Sequence, residues 1–330
     1  MRAASSDGRG TRKRWAAAAT LALVALMLAG PRTRVTDQWV APNVGPDVDA
    51  YLAAREATVP DLRPGEQRSV RWADPEARAR TGLALVYLHG FSADRHEVEP
   101  LVSDLGRALG ANVYFARLRG HGRDGAAMAE ASAEDWMADA AEAVAVGARI
   151  GERVVLIGTS TGGTLATWAA TRPEARGSLA AMVLISPNYG LRDRASRFLL
   201  WPWGGLIARL AVGPERCFEA VSEQHALHWT TCYPAAALLP MVALTHHVRS
   251  LDLSGVTVPT LVVYSPDDLV VDATETERTV ARMRFAPVET LVVRDAADPQ
   301  GHVLAGDILS PATTSLVRER VVDFLEALQG

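Results

Sequence analysis

Ser160 lies at the centre of a Gly-Thr-Ser-Thr-Gly pentapeptide, residues 158–162, whose residue types suit a serine nucleophile. The apolar run 154–157 precedes this motif and a helical pattern follows it, so the serine would occupy a sharp strand-to-helix turn. Such a turn strains the backbone of the nucleophile, and neither Gly158 nor Gly162 could carry a side chain there without a collision. The pattern therefore predicts a nucleophile elbow centred on Ser160.

A serine hydroxyl needs a base to attack a carbonyl, and the base needs an acid to orient it. His302 lies in a loop between the last apolar run and the final helical segment, and we predict that it is the base. Asp268 follows the apolar run 260–264, at the carboxyl end of a strand, where sites in parallel sheets assemble. Asp267 is the alternative acid. We prefer Asp268 because the Leu-Val-Val after it can return to the core.

The segment after the apolar run 83–88 fits an oxyanion hole. Gly90 lets the backbone approach an acyl oxygen, so that the Phe91 amide can donate a hydrogen bond to it. The Thr161 amide, at the positive end of the helix after the nucleophile, would be the second donor. We expect His89 to brace this loop rather than to take part in the chemistry.

After residue 65 the chain alternates short apolar runs with longer segments of helical periodicity. The runs predict strands over 83–88, 112–118, 153–157, 180–185, 260–264 and 288–293. The periodic segments predict helices over 97–109, 133–150, 161–171, 273–284 and 311–328. This alternation is typical of an α/β fold with a mostly parallel central sheet flanked by helices. Residues 187–255 interrupt this alternation, because they contain no clear strand pattern. The segment includes Trp201, Trp203 and Trp229, and we predict that it forms an inserted, mainly helical cap.

Composition and charge exclude several classes of protein. The 330 residues are 48% apolar and 22% charged, which excludes a disordered chain, a disulfide-dense miniprotein and a polytopic membrane protein. Residues 1–34 hold seven Lys or Arg and one Asp, a net charge of +6, which leaves −10 on residues 35–330 of a chain whose total is −4. An acidic body argues against a nucleic-acid partner, which needs a basic face.

The N-terminal segment has the charge layout of an export signal or an anchor. Residues 15–31 carry no charge and follow the basic residues 12–14. No good small-x-small cleavage site follows, so we predict an uncleaved membrane anchor that holds residues 35–330 outside the cytoplasm. The alternatives are a cleaved signal, which would give a secreted or periplasmic protein, and an ordinary soluble helix.

These patterns divide the chain into three segments. Residues 1–34 form the predicted anchor or signal, residues 35–65 read as a Pro- and Gly-containing linker, and residues 66–330 form the predicted catalytic domain with the cap at 187–255. Cys217 and Cys232 are separated by 15 positions and could close a disulfide in an oxidising compartment. Two buried thiols are the alternative.

Two pairs of nearby histidines could suggest metal ligands: His225 with His228, and His246 with His247. No acidic residue or cysteine stands at ligand spacing around either pair. We therefore predict no metal site and no cofactor.

Several of these motifs together resemble the α/β-hydrolase fold, in its monoacylglycerol lipase and bacterial carboxylesterase branch. The resemblance covers roughly residues 80–328 and rests on His89-Gly90, the Arg-Gly-His-Gly segment 119–122, the elbow, Asp268 and His302, which also follow the Ser-Asp-His order of that fold. It implies serine ester hydrolysis without a cofactor and a helical cap over the acyl site. By the same resemblance, His121 braces a loop.

We therefore expect a serine-dependent hydrolase of carboxylic esters, acting on a small-molecule or lipid-derived ester through an acyl-enzyme. The same triad could instead serve an acyltransferase, a thioesterase or an aminopeptidase. A non-catalytic binding module is a further alternative, although all three triad residue types are present. The sequence predicts no oligomeric state.

Overall fold

The computed structural model describes the backbone of residues 7–328 and the side chains of residues 11–328. Residues 1–6 and 329–330, the ends of the predicted first and last segments, lie outside the described residues. The helices are α1 (Asp7–Leu28), α2 (Val48–Glu56), α3 (Leu101–Ala108), α4 (Ala133–Ile150), α5 (Thr161–Thr171), α6 (Pro173–Arg176), α7 (Gly204–Val212), α8 (Glu223–His228), α9 (Leu238–Ser250), α10 (Ala273–Val280) and α11 (Pro311–Ala327). The strands are β1 (Ser69–Arg71), β2 (Thr81–Leu88), β3 (Asn112–Phe115), β4 (Gly151–Thr159), β5 (Leu179–Ile185), β6 (Glu215–Cys217), β7 (Cys232–Pro234), β8 (Thr260–Tyr264) and β9 (Val288–Val292).

Seven strands form the central sheet, in the order β1-β3-β2-β4-β5-β8-β9. Strand β1 pairs antiparallel with β3, and the other neighbours pair parallel. All six predicted strands are present in this sheet, and the predicted fold class is confirmed. Because β4 lies between β2 and β5, the carboxyl end of β4 meets the loops that follow both neighbours.

Helices cover both faces of the sheet, which explains why its central strands are apolar on both sides. Val86 and Leu156 face the layer that contains α4, α5 and α9. Tyr87 and Ile157, one position later, face the layer that contains α3 and α11. Alternate residues of a strand therefore enter two separate cores.

The cap segment 187–255 contains α7, α8 and α9, as predicted, and also the short strands β6 and β7. These strands pair antiparallel, with Cys217 opposite Cys232, and a disulfide joins the two cysteines. Of the two alternatives for these residues, the structure has the disulfide. The two strands are only three residues long and contain no apolar run, so a hydrophobicity pattern does not detect them.

Residues 35–65, which we expected to be a linker, contain α2 and pack on the body. Trp39 stacks on Trp168 of α5 at 5.4 Å between ring centroids, and Asp37 accepts a hydrogen bond from the Trp168 indole at 2.9 Å. Arg55 of α2 forms an ion pair with the buried Glu142 of α4 at 2.9 Å. The Pro and Gly residues mark turns within a packed segment.

The predicted membrane anchor at residues 15–31 is wrong. Within residues 7–328 the structure has no helix that is both long and apolar enough to cross a bilayer. Helix α1 ends at Leu28, and its first half contains the charged residues 12–14. Its uncharged part, from Trp15 to Leu28, reaches only about 21 Å at ~1.5 Å per residue, against a hydrocarbon core of about 30 Å. The membrane-anchored location that we inferred from this segment is therefore not supported.

Candidate active site

Ser160 occupies a tight turn between the end of β4 and the start of α5, with φ 51° and ψ −116°. Its amide donates to the Ile185 carbonyl at 2.9 Å, which ties the turn to the neighbouring strand β5. A Cβ at Gly162 would overlap the Leu88 carbonyl, and a Cβ at Gly158 would overlap the Gly162 carbonyl. Both glycines are thus required by the close approach of the backbone at this turn, for the reason that the motif suggests.

His302 and Asp268 lie side by side beyond the carboxyl end of β8. The imidazole Nδ1 is 2.7 Å from Asp268 Oδ2, while the other oxygen, Oδ1, accepts hydrogen bonds from the amides of Val270 and Val271 at 2.7 and 2.9 Å. The Asp268 side chain is only 1% exposed. The carboxylate is therefore fixed in place by the backbone, and it fixes the ring in turn.

Asp267, the alternative acid, points away from this group. Its side chain is 67% exposed and lies 3.7 Å from the guanidinium of Arg294. A carboxylate in that position has no contact through which to orient His302. The geometry favours Asp268 as the partner of the imidazole.

The backbone and charge of His302 are also controlled by its surroundings. Its amide donates to Asp298 at 2.9 Å, and its carbonyl accepts from the Ser186 hydroxyl at 2.7 Å. Burial by itself would lower the pKa of His302, but the charge of Asp268, the hydrogen bond between the two side chains and the charges of Asp298 and Glu97 outweigh burial and raise that pKa.

The loop that follows β2 carries Phe91 to the same edge of the sheet, and two buried histidines hold it there. The Leu118 amide donates to His89 Nε2 and the Ser92 amide donates to His121 Nε2, each at 3.0 Å. Burial lowers the pKa of His89 to about 4 and moves that of His121 well below its usual value. Both rings are therefore neutral acceptors at neutral pH, with contacts that suit the bracing role expected of them.

Glu97 is a buried residue beneath this loop that the sequence analysis missed. Its Oε1 accepts hydrogen bonds from the Gly90 amide at 2.5 Å and from the Tyr87 hydroxyl at 2.7 Å. Burial, together with the charge of Asp94, outweighs these hydrogen bonds and the charge of His302, and it raises the pKa of Glu97 to about 8. The sequence did place this acidic residue at the start of a predicted helix, seven positions after Gly90. The spacing alone does not show, however, that the side chain of Glu97 is buried.

A cavity of about 340 Å³ brings the predicted residues together. Ser160, Thr161, Phe91 and His302 all line it, and Asp268 lies directly behind His302. Thr161 begins α5, so its amide is among the first four of that helix, which lack intrahelical acceptors. The cap supplies most of the opposite wall through the apolar side chains Leu191, Phe218, Val221, Trp229, Leu238 and Met241.

Solved structures share this architecture. A metagenome-derived lipolytic enzyme of the LipS and LipT pair is 21% identical, with a TM-score of 0.65 over 81% of this chain and 100% of that chain. The monoacylglycerol lipase of Paleococcus ferrophilus is 13% identical, with a TM-score of 0.57 over 79% and 98%. A soluble variant of monoglyceride lipase from Saccharomyces cerevisiae is 12% identical, with a TM-score of 0.59 over 79% and 91%. At these identities the likeness establishes the fold.

Sequence comparison identifies the family. None of the curated proteins compared with the chain matches it. The model of the family described as serine aminopeptidase, S33 (Hydrolase_4) matches residues 77–297, well over half of the chain. This stretch contains the elbow, the Phe91 loop, the whole cap and Asp268. On this match and the shared fold, the chain belongs to the Hydrolase_4 family of α/β-hydrolases.

Proposed function

We propose that the protein is a serine-dependent hydrolase of carboxylic esters, with Ser160, His302 and Asp268 as its catalytic triad. The observation that carries the proposal is the 2.7 Å contact between His302 Nδ1 and Asp268 in the wall of a cavity that Ser160 also lines. A carboxylate on Nδ1 holds the imidazole in the tautomer whose Nε2 can accept a proton. The strained elbow and the α/β-hydrolase fold support the same assignment.

In the acylation step, Ser160 Oγ attacks the ester carbonyl carbon while His302 Nε2 takes the hydroxyl proton. The carbonyl oxygen becomes an oxyanion, which the amides of Phe91 and Thr161 stabilise by hydrogen bonds. Each such donor typically contributes about 3–4 kcal/mol to the transition state. The tetrahedral intermediate then collapses, and His302 gives its proton to the departing alcohol. The acyl group remains on Ser160.

In the deacylation step, a water molecule replaces the alcohol. His302 removes a proton from the water as it attacks the acyl carbonyl, and the same two amides hold the second oxyanion. Collapse of this intermediate releases the carboxylic acid, and His302 returns the proton to Ser160 Oγ. No group besides these side chains and amides is needed to balance the reaction.

The cavity supports a substrate with an acyl chain. Its volume lies near the lower end of the range for small-molecule sites, and the cap wall is largely apolar. We propose that residues 187–255 act as a cap over the acyl group within a catalytic domain of residues 66–330, and that the substrate is a medium-chain or monoacyl ester. Two of the similar structures are described as lipases of monoacylglycerols.

An aminopeptidase is the second candidate, because the matching family is described by that activity. The same triad would then attack an amide, and a carboxylate would be needed near the site to bind the substrate's amino group. Glu219 and Asp298 both line the cavity. Asp298, however, already accepts hydrogen bonds from the amides of His302 and Val303, so it is not free for that role.

The test is a substrate panel with the purified chain and its Ser160→Ala variant. The panel contains p-nitrophenyl esters and monoacylglycerols of rising chain length, together with aminoacyl p-nitroanilides. We expect ester hydrolysis that is lost in the variant and an optimum at medium chain length. Turnover of the anilides with none of the esters would favour the aminopeptidase, and ester products formed with an added alcohol would favour an acyltransferase.

A further inference from the structure

Four side chains that can bind a metal ion meet where the cap touches the body of the protein. Glu66 precedes β1, Asp94 and His96 follow the Phe91 loop, and His228 is the last residue of α8 in the cap. One ligand atom from each of the four lies within 4.8 Å of the others. The sequence analysis found no acidic partner for His228, because its partners lie more than 130 positions away in the chain.

Three contacts within the cluster are known individually, and the two imidazoles approach different oxygens of Asp94. His228 Nδ1 lies 2.9 Å from Asp94 Oδ2 and 3.5 Å from Glu66 Oε1, and His96 Nδ1 lies 2.9 Å from Asp94 Oδ1. Zinc binds His nitrogen and carboxylate oxygen at about 2.0–2.2 Å, so neighbouring ligand atoms of a tetrahedral site are roughly 3.3–3.6 Å apart. The four ligand atoms all lie within 4.8 Å of one another, and an ion would draw the more distant pairs together to that spacing.

The two carboxylates of the cluster are buried, whereas the two histidines are partly exposed. The side chain of Glu66 is only 3% exposed and that of Asp94 only 6%. Glu66 Oε2 is buried and accepts no hydrogen bond from a donor group of the protein, so that only a proton shared with Asp94 or a bound cation can satisfy it. An unpaired buried carboxylate oxygen is costly, and a divalent cation between two carboxylates would offset that cost.

We propose that Glu66, Asp94, His96 and His228 form a binding site for a divalent transition-metal ion, with zinc as the best match. Two imidazoles and two carboxylates are a ligand set that zinc accepts, whereas calcium and magnesium prefer oxygen ligands throughout. Each imidazole would then carry its proton on Nε2, so that the Nδ1 lone pair faces the ion. Because all four positions are filled by protein atoms, the site is structural.

A metal at this position would hold the cap to the loop that carries Phe91. His228 is adjacent to Trp229, which lines the cavity, and Asp94 is three residues after Phe91. A hydrogen bond from the Thr230 amide to the Ser92 carbonyl at 2.7 Å already joins the same two segments. Metal binding to the folded chain should therefore stabilise it and restrain the cap.

The experiment titrates zinc chloride into the untagged, full-length protein after treatment with EDTA and desalting, followed by calorimetry and thermal melting. We expect one zinc per chain and a melting temperature higher by roughly 4 °C when free zinc is a hundredfold above Kd. His228→Ala should weaken binding by at least about 100-fold. His246→Ala, which removes an exposed histidine outside the cluster, should bind zinc like the unmodified chain.

Two further variants keep the test decisive. If His228→Ala does not fold, His96→Gln serves instead, because the His96 side chain is 28% exposed and tolerates change better. His302→Gln should retain zinc binding, which separates this site from the candidate active site. The proposal is overturned if the unmodified chain takes up no zinc, since a proton shared by Glu66 and Asp94 would then complete the cluster. It is also overturned if the cluster variants bind zinc as well as His246→Ala does.

Discussion

Two histidine–aspartate pairs in this molecule have almost the same contact and different surroundings. His302 Nδ1 lies 2.7 Å from Asp268, and His228 Nδ1 lies 2.9 Å from Asp94. In both pairs the carboxylate is buried and also accepts backbone hydrogen bonds, from Val270 and Val271 in the first pair and from His96 in the second. The contact alone therefore does not distinguish a base from a metal ligand.

What surrounds each pair makes the difference. His302 lines a cavity together with Ser160, so its second ring nitrogen can serve a reaction there. The pair formed by His228 and Asp94 is instead enclosed by a second imidazole and a second carboxylate. A pair that opens onto a cavity beside a nucleophile suits proton transfer, whereas a pair within a closed set of four donors suits an ion.

The largest expected effect comes from removing the charge that orients His302. Asp268→Asn should lower kcat for ester hydrolysis by about 10⁴-fold, because the neutral amide favours the wrong imidazole tautomer. The measurement is steady-state kinetics on a p-nitrophenyl ester. Asp267→Asn is the matched control and should stay within about twofold of the unmodified chain, since exposed charges contribute little. The reverse ranking would assign the acid to Asp267.

Glu97 should show a smaller, indirect effect as a positioning residue beneath the Phe91 loop. Glu97→Ala leaves the Gly90 amide without its acceptor and leaves the Tyr87 hydroxyl with Thr159 alone, and a displaced loop misplaces the oxyanion donor. We expect kcat to fall by about 10- to 100-fold. Glu97→Gln keeps an acceptor oxygen and should restore activity to within about threefold. Equal losses in the two variants would contradict the role assigned to the acceptor oxygen of Glu97.

The raised pKa of His302 sets the sign of the pH dependence. Protonated His302 cannot accept the Ser160 proton, so kcat/KM should fall about tenfold per pH unit as the pH drops below that pKa, and it should be constant above it. The inflection should lie above the usual histidine value because of Asp268. Asp268→Asn should move the inflection of its residual activity to lower pH. If the inflection is unchanged in Asp268→Asn, the group that titrates is a residue other than His302.

Asp94→Asn should have the smallest effect on catalysis, because its pair does not line the cavity. We expect kcat to change by less than about threefold in zinc-free buffer, while zinc binding is lost. Kinetics and calorimetry on the same preparation measure both. A loss of hydrolysis comparable with that of Asp268→Asn would remove the distinction between the two pairs.

Local patterns predicted the turn at Ser160 well, because the strand, the turn and the helix lie within one short segment. Gly158 and Gly162 are needed because a side chain at either position would collide with the backbone of that turn. The strands were recognised because buried parallel strands form continuous apolar runs. Asp268 was chosen because it follows a predicted strand, and the Ser-Asp-His order came from the resemblance to the α/β-hydrolase fold. Physical requirements that act within a few residues are visible in a sequence.

Features that depend on distant partners were not visible. The sequence analysis did not single out Glu97 or Glu66, because nothing near them in the chain shows that they are buried. Helix α2 was hidden by the turn residues around it, and β6 and β7 are stabilised by a disulfide and not by an apolar run. The anchor prediction failed for a local reason, since the structure ends the uncharged part of α1 at Leu28.

Covalent labelling of the nucleophile tests the central claim most directly. The purified chain is treated with a fluorophosphonate probe, and intact mass and peptide mapping locate the adduct. The account predicts one adduct per chain, on Ser160, with labelling lost in Ser160→Ala and strongly slowed in His302→Gln. An adduct on a different residue, or equal labelling of the unmodified chain and Ser160→Ala, would contradict it.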